Sequence, residues 1–255
     1  MFQNTYEIMV ISGHDSSFLV PATYGEDIIN GKKAKKDAQK YMASVQINGK
    51  HKCGGFLISE SYVLTAAQCD GSGRMSVILG THSISGNNLK RCEVEKKHKL
   101  MSFKNEKTGD DIMLLKFSGC KVSKKSKYVK IIKIQRKDKA VKPRTKCLVA
   151  GWGKTEKQNT VNDLMVADVS IISLKDCQKQ WKNMELPANV LCTGGKESKR
   201  GACQGDSGGP LVCGGVAVGI FSLNNQGCDD RDKTSVYTQI SKYTNWIDKI
   251  INKVP

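Results

Sequence analysis

Ten cysteines, spread from Cys53 to Cys228, constrain this chain more than any other feature. Their number is even and none falls in a Cys-x-x-Cys pair. They therefore read as several disulfides made in the secretory pathway, in preference to ten reduced core thiols of a cytosolic protein. Spacing alone leaves the pairing open. No cluster of His, Cys, Asp and Glu has metal-ligand spacing, so no metal and no other cofactor is expected. At 255 residues the chain can build one large β domain or two small ones, each with its own core. No run approaches the 18 apolar residues of a membrane-spanning helix, so no transmembrane segment is expected.

Short apolar runs recur between turn signals: Met42 to Ile47, Gly55 to Ile58, Val77 to Leu79, Ile112 to Leu115, Cys147 to Ala150, Leu164 to Ile172, Leu211 to Cys213 and Val216 to Phe221. Their length, their β-branched members and the glycines at their edges predict an all-β sandwich or barrel. One helix is predicted at the end, where Tyr243, Trp246, Ile247, Ile250 and Ile251 form a single apolar stripe at helical spacing.

Charge divides the chain unevenly. The net charge is +17, yet residues 1–27 hold four acids and no Lys or Arg, leaving 41 basic against 20 acidic residues beyond them, or +21. Segment 121–146 holds twelve Lys or Arg and one Asp. It reads as a solvated connector and as the first candidate for contact with a polyanion such as a sulfated, heparin-like glycan. Nucleic acid fits poorly with an exported, disulfide-bonded chain, so no specific nucleic-acid partner is expected. The first 27 residues are a weak export signal. Ile8 to Ile11 is short for an apolar signal stretch, and His14 and Asp15 follow it. The cysteines nevertheless argue for secretion or storage in a secretory granule.

The strongest chemical signal is Gly205-Asp206-Ser207-Gly208-Gly209-Pro210, with Cys203 before it and Cys213 after. A serine hydroxyl attacks a carbonyl only if its proton is removed and the resulting oxyanion is stabilised. Glycines beside the serine let backbone N–H groups reach the reacting carbonyl. Other segments stand in a fixed order around it. They are Ile28-Ile29-Asn30-Gly31, Cys53 to Ile58, Val63-Leu64-Thr65-Ala66-Ala67-Gln68-Cys69, Asp111 to Leu115 and Gly151-Trp152-Gly153. Together they closely resemble the chymotrypsin-like serine proteases from about Ile28 to the C-terminus. Ile78 to Ile84 and Asp111 to Lys116 resemble the granzymes of that family, nearest to the granzyme A and K group.

The resemblance implies two six-stranded antiparallel β-barrels with a C-terminal α-helix and an active site between the barrels. It divides the chain into a leader and pro-segment (1–27) and a protease domain (28–255). Within that domain the first barrel is expected at about 40–120, the connector at about 121–146, the second barrel at about 147–240 and the terminal helix at about 241–252. It implies the disulfides Cys53–Cys69, Cys147–Cys213, Cys177–Cys192 and Cys203–Cys228. Cys92 and Cys120 are left over, either as a fifth intrachain bond, as free thiols or as a bond between chains. It assigns catalysis to Ser207 and Asp111, the oxyanion hole to Gly205 and Ser207, and activation to a pairing of a freed Ile28 amino group with Asp206. The substrate pocket falls to Gly201, Ser222, Asn224 and Ser235, where Gly201 supplies no acid and side chains at Asn224 and Ser235 should favour small or uncharged residues.

One position departs from the family. Gln68 stands where the resemblance places the catalytic histidine, and a glutamine amide has no useful basicity near neutral pH. His51, matching a position that helps hold the inactive zymogen, and His82 and His98, in outer loop or strand positions, are expected to be structural or solvated. The chain is therefore expected to be a granzyme-type protease homologue with lost or strongly impaired catalysis. Its expected partners are polyanions and substrate-like peptides or proteins. The alternative is an active serine endopeptidase that cleaves after small or uncharged residues.

Overall fold

The computed structural model describes residues 31–86, 89–153, 161–181, 184–194, 205–224 and 234–252. Residues 1–27, Ile28, Gly201, Cys203 and Cys228 lie outside them. After a two-residue strand β1 (Lys32–Lys33), six strands form the first barrel. They are β2 (Met42–Ile47), β3 (Lys50–Leu57), β4 (Tyr62–Thr65), β5 (Met75–Leu79), β6 (Arg91–Lys99) and β7 (Met113–Ser118). They close in the order β2-β3-β4-β7-β6-β5, every pairing antiparallel. Asn48-Gly49 turns β2 into β3 with both residues at positive φ, the geometry that matches the right-handed strand twist and suits this dipeptide.

The second half begins with β8 (Lys133–Ile134), which pairs parallel with one end of a later strand. Then come β9 (Lys146–Gly151), β10 (Met165–Ile172), the short helix α1 (Leu174–Gln180), β11 (Val190–Gly194), β12 (Pro210–Cys213), β13 (Val216–Asn224) and β14 (Thr234–Gln239). Strand order β10-β11-β14-β13-β12-β9, with β9 paired back to β10, closes a second six-stranded antiparallel barrel; β1 and β8 hang on its outside. Closure leaves neither barrel with a free edge to template aggregation.

The terminal helix α2 (Thr244–Ile251) follows a 3₁₀ turn over Ile240–Tyr243. Ile240, Tyr243 and Ile247 are buried in the core of the first barrel, with Trp246, Ile250 and Ile251 packed against it. The helix thus leaves the second barrel and seals the first, so the apolar stripe read from the sequence is satisfied across the two halves. Val212, Ala217 and Ile220 of the second barrel join the same cluster. The connector is more than a solvated strap: Ile132 is buried there, and Val122, Val129, Ile131 and Ile134 pack on the first core. Its twelve Lys and Arg side chains are all exposed.

Cys53–Cys69, Cys147–Cys213, Cys177–Cys192 and Cys92–Cys120 are disulfides. The expected Cys203–Cys228 pair falls outside the described residues. Cys92 and Cys120 are 28 residues apart in sequence, and their bond ties the start of β6 to the segment after β7. Loop-closure entropy for such a span predicts that the double variant Cys92→Ser/Cys120→Ser loses about 3.6 kcal/mol of stability, read as a lower urea midpoint. An unchanged midpoint would contradict the structural role assigned to this bond.

Candidate active site

The line between the barrels is made of backbone. Gly54 N–H on β3 donates to the carbonyl of Ser207 at 2.9 Å. A Cβ on Gly54 would lie 3.1 Å from Gly209 Cα, so any side chain there would push the barrels apart. The Ser207 turn is clamped from the other side by a reciprocal pair, Gly208 N to Phe221 O and Phe221 N to Gly209 O, both at 2.8 Å. Gly208 sits at φ +84°, and a Cβ there would fall 2.1 Å from Thr65 Oγ1 and 2.5 Å from Gly54 O. Only glycine fits that corner. Thr65 Oγ1 in turn donates to Gly54 O at 2.8 Å.

Asp111 lies just before β7 and is 1% exposed. Its carboxylate gathers groups from both halves of the molecule. Oδ1 accepts the backbone N–H of Gln68 at 2.9 Å, and Oδ2 accepts both Gln68 Nε2 and Ser222 Oγ at 2.6 Å. Its backbone carbonyl accepts Thr238 Oγ1 at 2.9 Å. Burial raises the Asp111 carboxyl above its ordinary value, while the Ser222 and Gln68 donors pull it back down.

Gln68 rides on a 3₁₀ turn over Ala67–Cys69 that continues β4 and is pinned by the Cys53–Cys69 bond. The amide nitrogen is fully engaged: one hydrogen goes to Asp111 Oδ2 and the other to Ser222 O, each at 2.6 Å. Its remaining polar atom is the carbonyl Oε1, an acceptor without basicity at neutral pH. A side chain held this way can accept a hydrogen bond but cannot take a proton.

Asp206 is 2% exposed, and its Oδ1 accepts Gly153 N at 2.8 Å. The carboxylate packs directly on Gly151, where a Cβ would fall 1.8 Å from Oδ1. The Gly151-Trp152-Gly153 segment therefore houses the acid expected to receive Ile28. Of the expected pocket residues, Asn224 and Ser235 are register partners on β13 and β14, and Ser235 Oγ donates to Asn224 Oδ1 at 2.8 Å. Ser222, read from the sequence as a pocket residue, also binds the Asp111 carboxylate. That contact spans 111 residues and left no local signal to find it by.

The histidines have other work. His51 Nδ1 pairs with Ser44 Oγ at 2.8 Å and its Nε2 with Gly205 O at 3.0 Å, at the base of the Ser207 turn. Behind it, Gln46 Nε2 donates to Ser44 Oγ, and Arg91 holds the Gln46 carbonyl at 2.7 Å, completing a polar chain from strand β6 to the turn. His82 Nε2 contacts Ala38 O, and the His98 ring lies beside Tyr62. Among the described residues no cluster could hold a metal ion.

Burial lowers the pKa of His51 below 6.5, and its contact to the Gly205 carbonyl only partly offsets this. The folded state therefore binds fewer protons than the unfolded chain at acid pH. The His51 contribution to stability is intact above pH 6.5 and is lost as pH falls through the depressed value. Urea unfolding from about pH 7.5 to about pH 4.5 should show a steeper loss of stability in the natural chain than in His51→Gln. Parallel curves would show that His51 is not held neutral.

Known proteins share this architecture. Residues 28–247 match the Trypsin family. The chain is 37% identical over 249 residues to granzyme B of Rattus norvegicus, covering 92% of this chain and 95% of that protein. It is 33% identical over 231 residues to kallikrein-7 of Homo sapiens, covering 90% and 89%. A solved structure, neuropsin, a serine protease expressed in the limbic system of mouse brain, aligns with a TM-score of 0.78 at 31% identity, over 87% of this chain and 98% of that one. With two closed barrels meeting at the Ser207 turn and a family match over nearly the whole chain beyond residue 27, this protein belongs to the trypsin family, among homologues that include granzymes and kallikreins.

Proposed function

We propose that this chain is a secreted or granule-stored serine-protease homologue whose catalysis is lost or strongly impaired at Gln68, and that it acts by binding. One observation carries the reading: both amide hydrogens of Gln68 are committed, to Asp111 Oδ2 and to Ser222 O. In the family arrangement a histidine at this place is held by the aspartate and takes the serine proton. Gln68 keeps the contact to the aspartate and has no base to offer. The Ser222 carbonyl, on the edge expected to pair with substrate backbone, is also partly occupied by the same amide.

Loss of the base alone costs roughly 10⁶ in turnover in a serine protease with the same triad logic. The oxyanion hole and binding still leave on the order of 10³–10⁴ over the uncatalysed rate. The second reading, an endopeptidase acting after small or uncharged residues, draws support from the closely built Ser207 turn and the Asn224–Ser235 contact. The deciding experiment is peptide-library hydrolysis by the 28–255 form beside its Gln68→His variant. The expected result is cleavage by Gln68→His alone. Cleavage by the natural form that Ser207→Ala abolishes would overturn the proposal.

The binding role rests on charge. All twelve Lys and Arg side chains of 121–146 are exposed, and the strand inside the connector, β8, meets β13 at Val216 and Ala217. Ser222 is five residues further along β13, about 17 Å at the usual strand rise. A sulfated glycan on the connector would therefore leave the cleft clear. Replacing Lys133, Lys137, Lys139 and Lys142 by Gln is expected to weaken heparin binding at least about tenfold near physiological salt, with a shallower salt dependence. Unchanged affinity would remove the connector from the binding surface.

A further inference from the structure

We infer that a cavity beside the Cys92–Cys120 disulfide binds an amphiphilic anion, a single aliphatic chain ending in a carboxylate. The cavity measures about 210 Å³ and lies between the end of β5, the start of β6 and the segment after β7. Its floor is apolar: Leu79 and Cys92 are buried, and Cys120, Val122 and Val129 are partly so. Its rim is cationic, with Lys90 and Lys121 lining the opening. Tyr128, 64% exposed, stands at the same mouth, with the Lys127 ammonium 5.1 Å from its ring centroid.

The two lysines are available to a ligand. Among the described residues Lys90 Nζ donates to the Lys121 carbonyl, at 3.4 Å, which leaves ammonium hydrogens to donate. Among the described residues no carboxylate forms an ion pair with Lys90 or Lys121. Glu60, the acid that approaches this segment, accepts the backbone N–H of Lys124 at 3.2 Å.

These features select a ligand by elimination. A hydrophilic polyanion would answer the lysines and leave the apolar floor in water. A neutral hydrocarbon would fill the floor and bring no partner for the cations. An anionic head on an aliphatic tail satisfies both, the arrangement of small-molecule sites in general: an apolar interior with a few placed polar groups. The volume is below the roughly 300–1,000 Å³ of sites for drug-sized ligands, which limits the occupant to a small molecule. The site is independent of the cleft and of the connector lysines tested above.

Calorimetric titration of the full chain with octanoate tests this, beside butyrate, octan-1-ol and inorganic sulfate. One octanoate per chain is expected, bound more than about tenfold tighter than butyrate because each added methylene leaves water. Lys90→Glu/Lys121→Glu should weaken octanoate at least about tenfold, since two charge-assisted contacts become repulsive. Val122→Phe, which fills the cavity, should abolish binding, and unchanged thermal midpoints would show that both variants fold. Butyrate or sulfate matching octanoate would reduce the site to surface charge and overturn the proposal. Octan-1-ol matching octanoate, variants that bind normally, or no binding at all would overturn it equally.

Discussion

The buried carboxylate of Asp111 is the interaction on which the rest of this structure depends. A charge 1% exposed is tolerated only when its lone pairs are answered, and here the answers come from two barrels. Gln68 approaches the carboxylate from the first barrel and Ser222 from the second, while Thr238 of the second barrel holds the Asp111 backbone carbonyl. Hydrogen bonds to a charged group contribute about 1.5–3 kcal/mol each, so the cluster acts as a polar rivet through the junction. The glycines at Gly54 and Gly208 bring the barrels close enough for it to form.

That dependence gives Gln68 a structural meaning apart from catalysis. An amide nitrogen can donate to Asp111 and to Ser222 O at once, keeping the carboxylate satisfied without a histidine. The fold can therefore hold its cleft geometry while the proton acceptor is missing. Retention of the architecture around Asp111 follows from these two hydrogen bonds. On the same strand as Ser222, Asn224 touches Ser235 across β13 and β14.

Electrostatics is arranged in two layers. The acids with structural duties, Asp111 and Asp206, are buried at the junction, whereas the lysines of the connector are all exposed. Surface charge at that density contributes little to stability and much to encounter with anions. The apolar cavity behind Cys92–Cys120 adds a different selectivity, for an anion that also carries hydrocarbon.

Much of this was legible in the chain itself. Short β-branched runs and the even cysteine count are local signals, because strand period and thiol chemistry act within a few residues. Gly205 to Pro210 and Gln68 marked the candidate site for the same reason, since the chemistry of a nucleophile and the lack of it in an amide belong to single side chains. What tertiary structure alone decided were contacts between distant residues. Ser222 Oγ on Asp111, Arg91 reaching His51 through Gln46 and Ser44, and α2 sealing the barrel it does not follow leave no periodicity to read. The bond between Cys92 and Cys120 is of the same kind: spacing permits several pairings, and only the fold brings two particular sulfur atoms together.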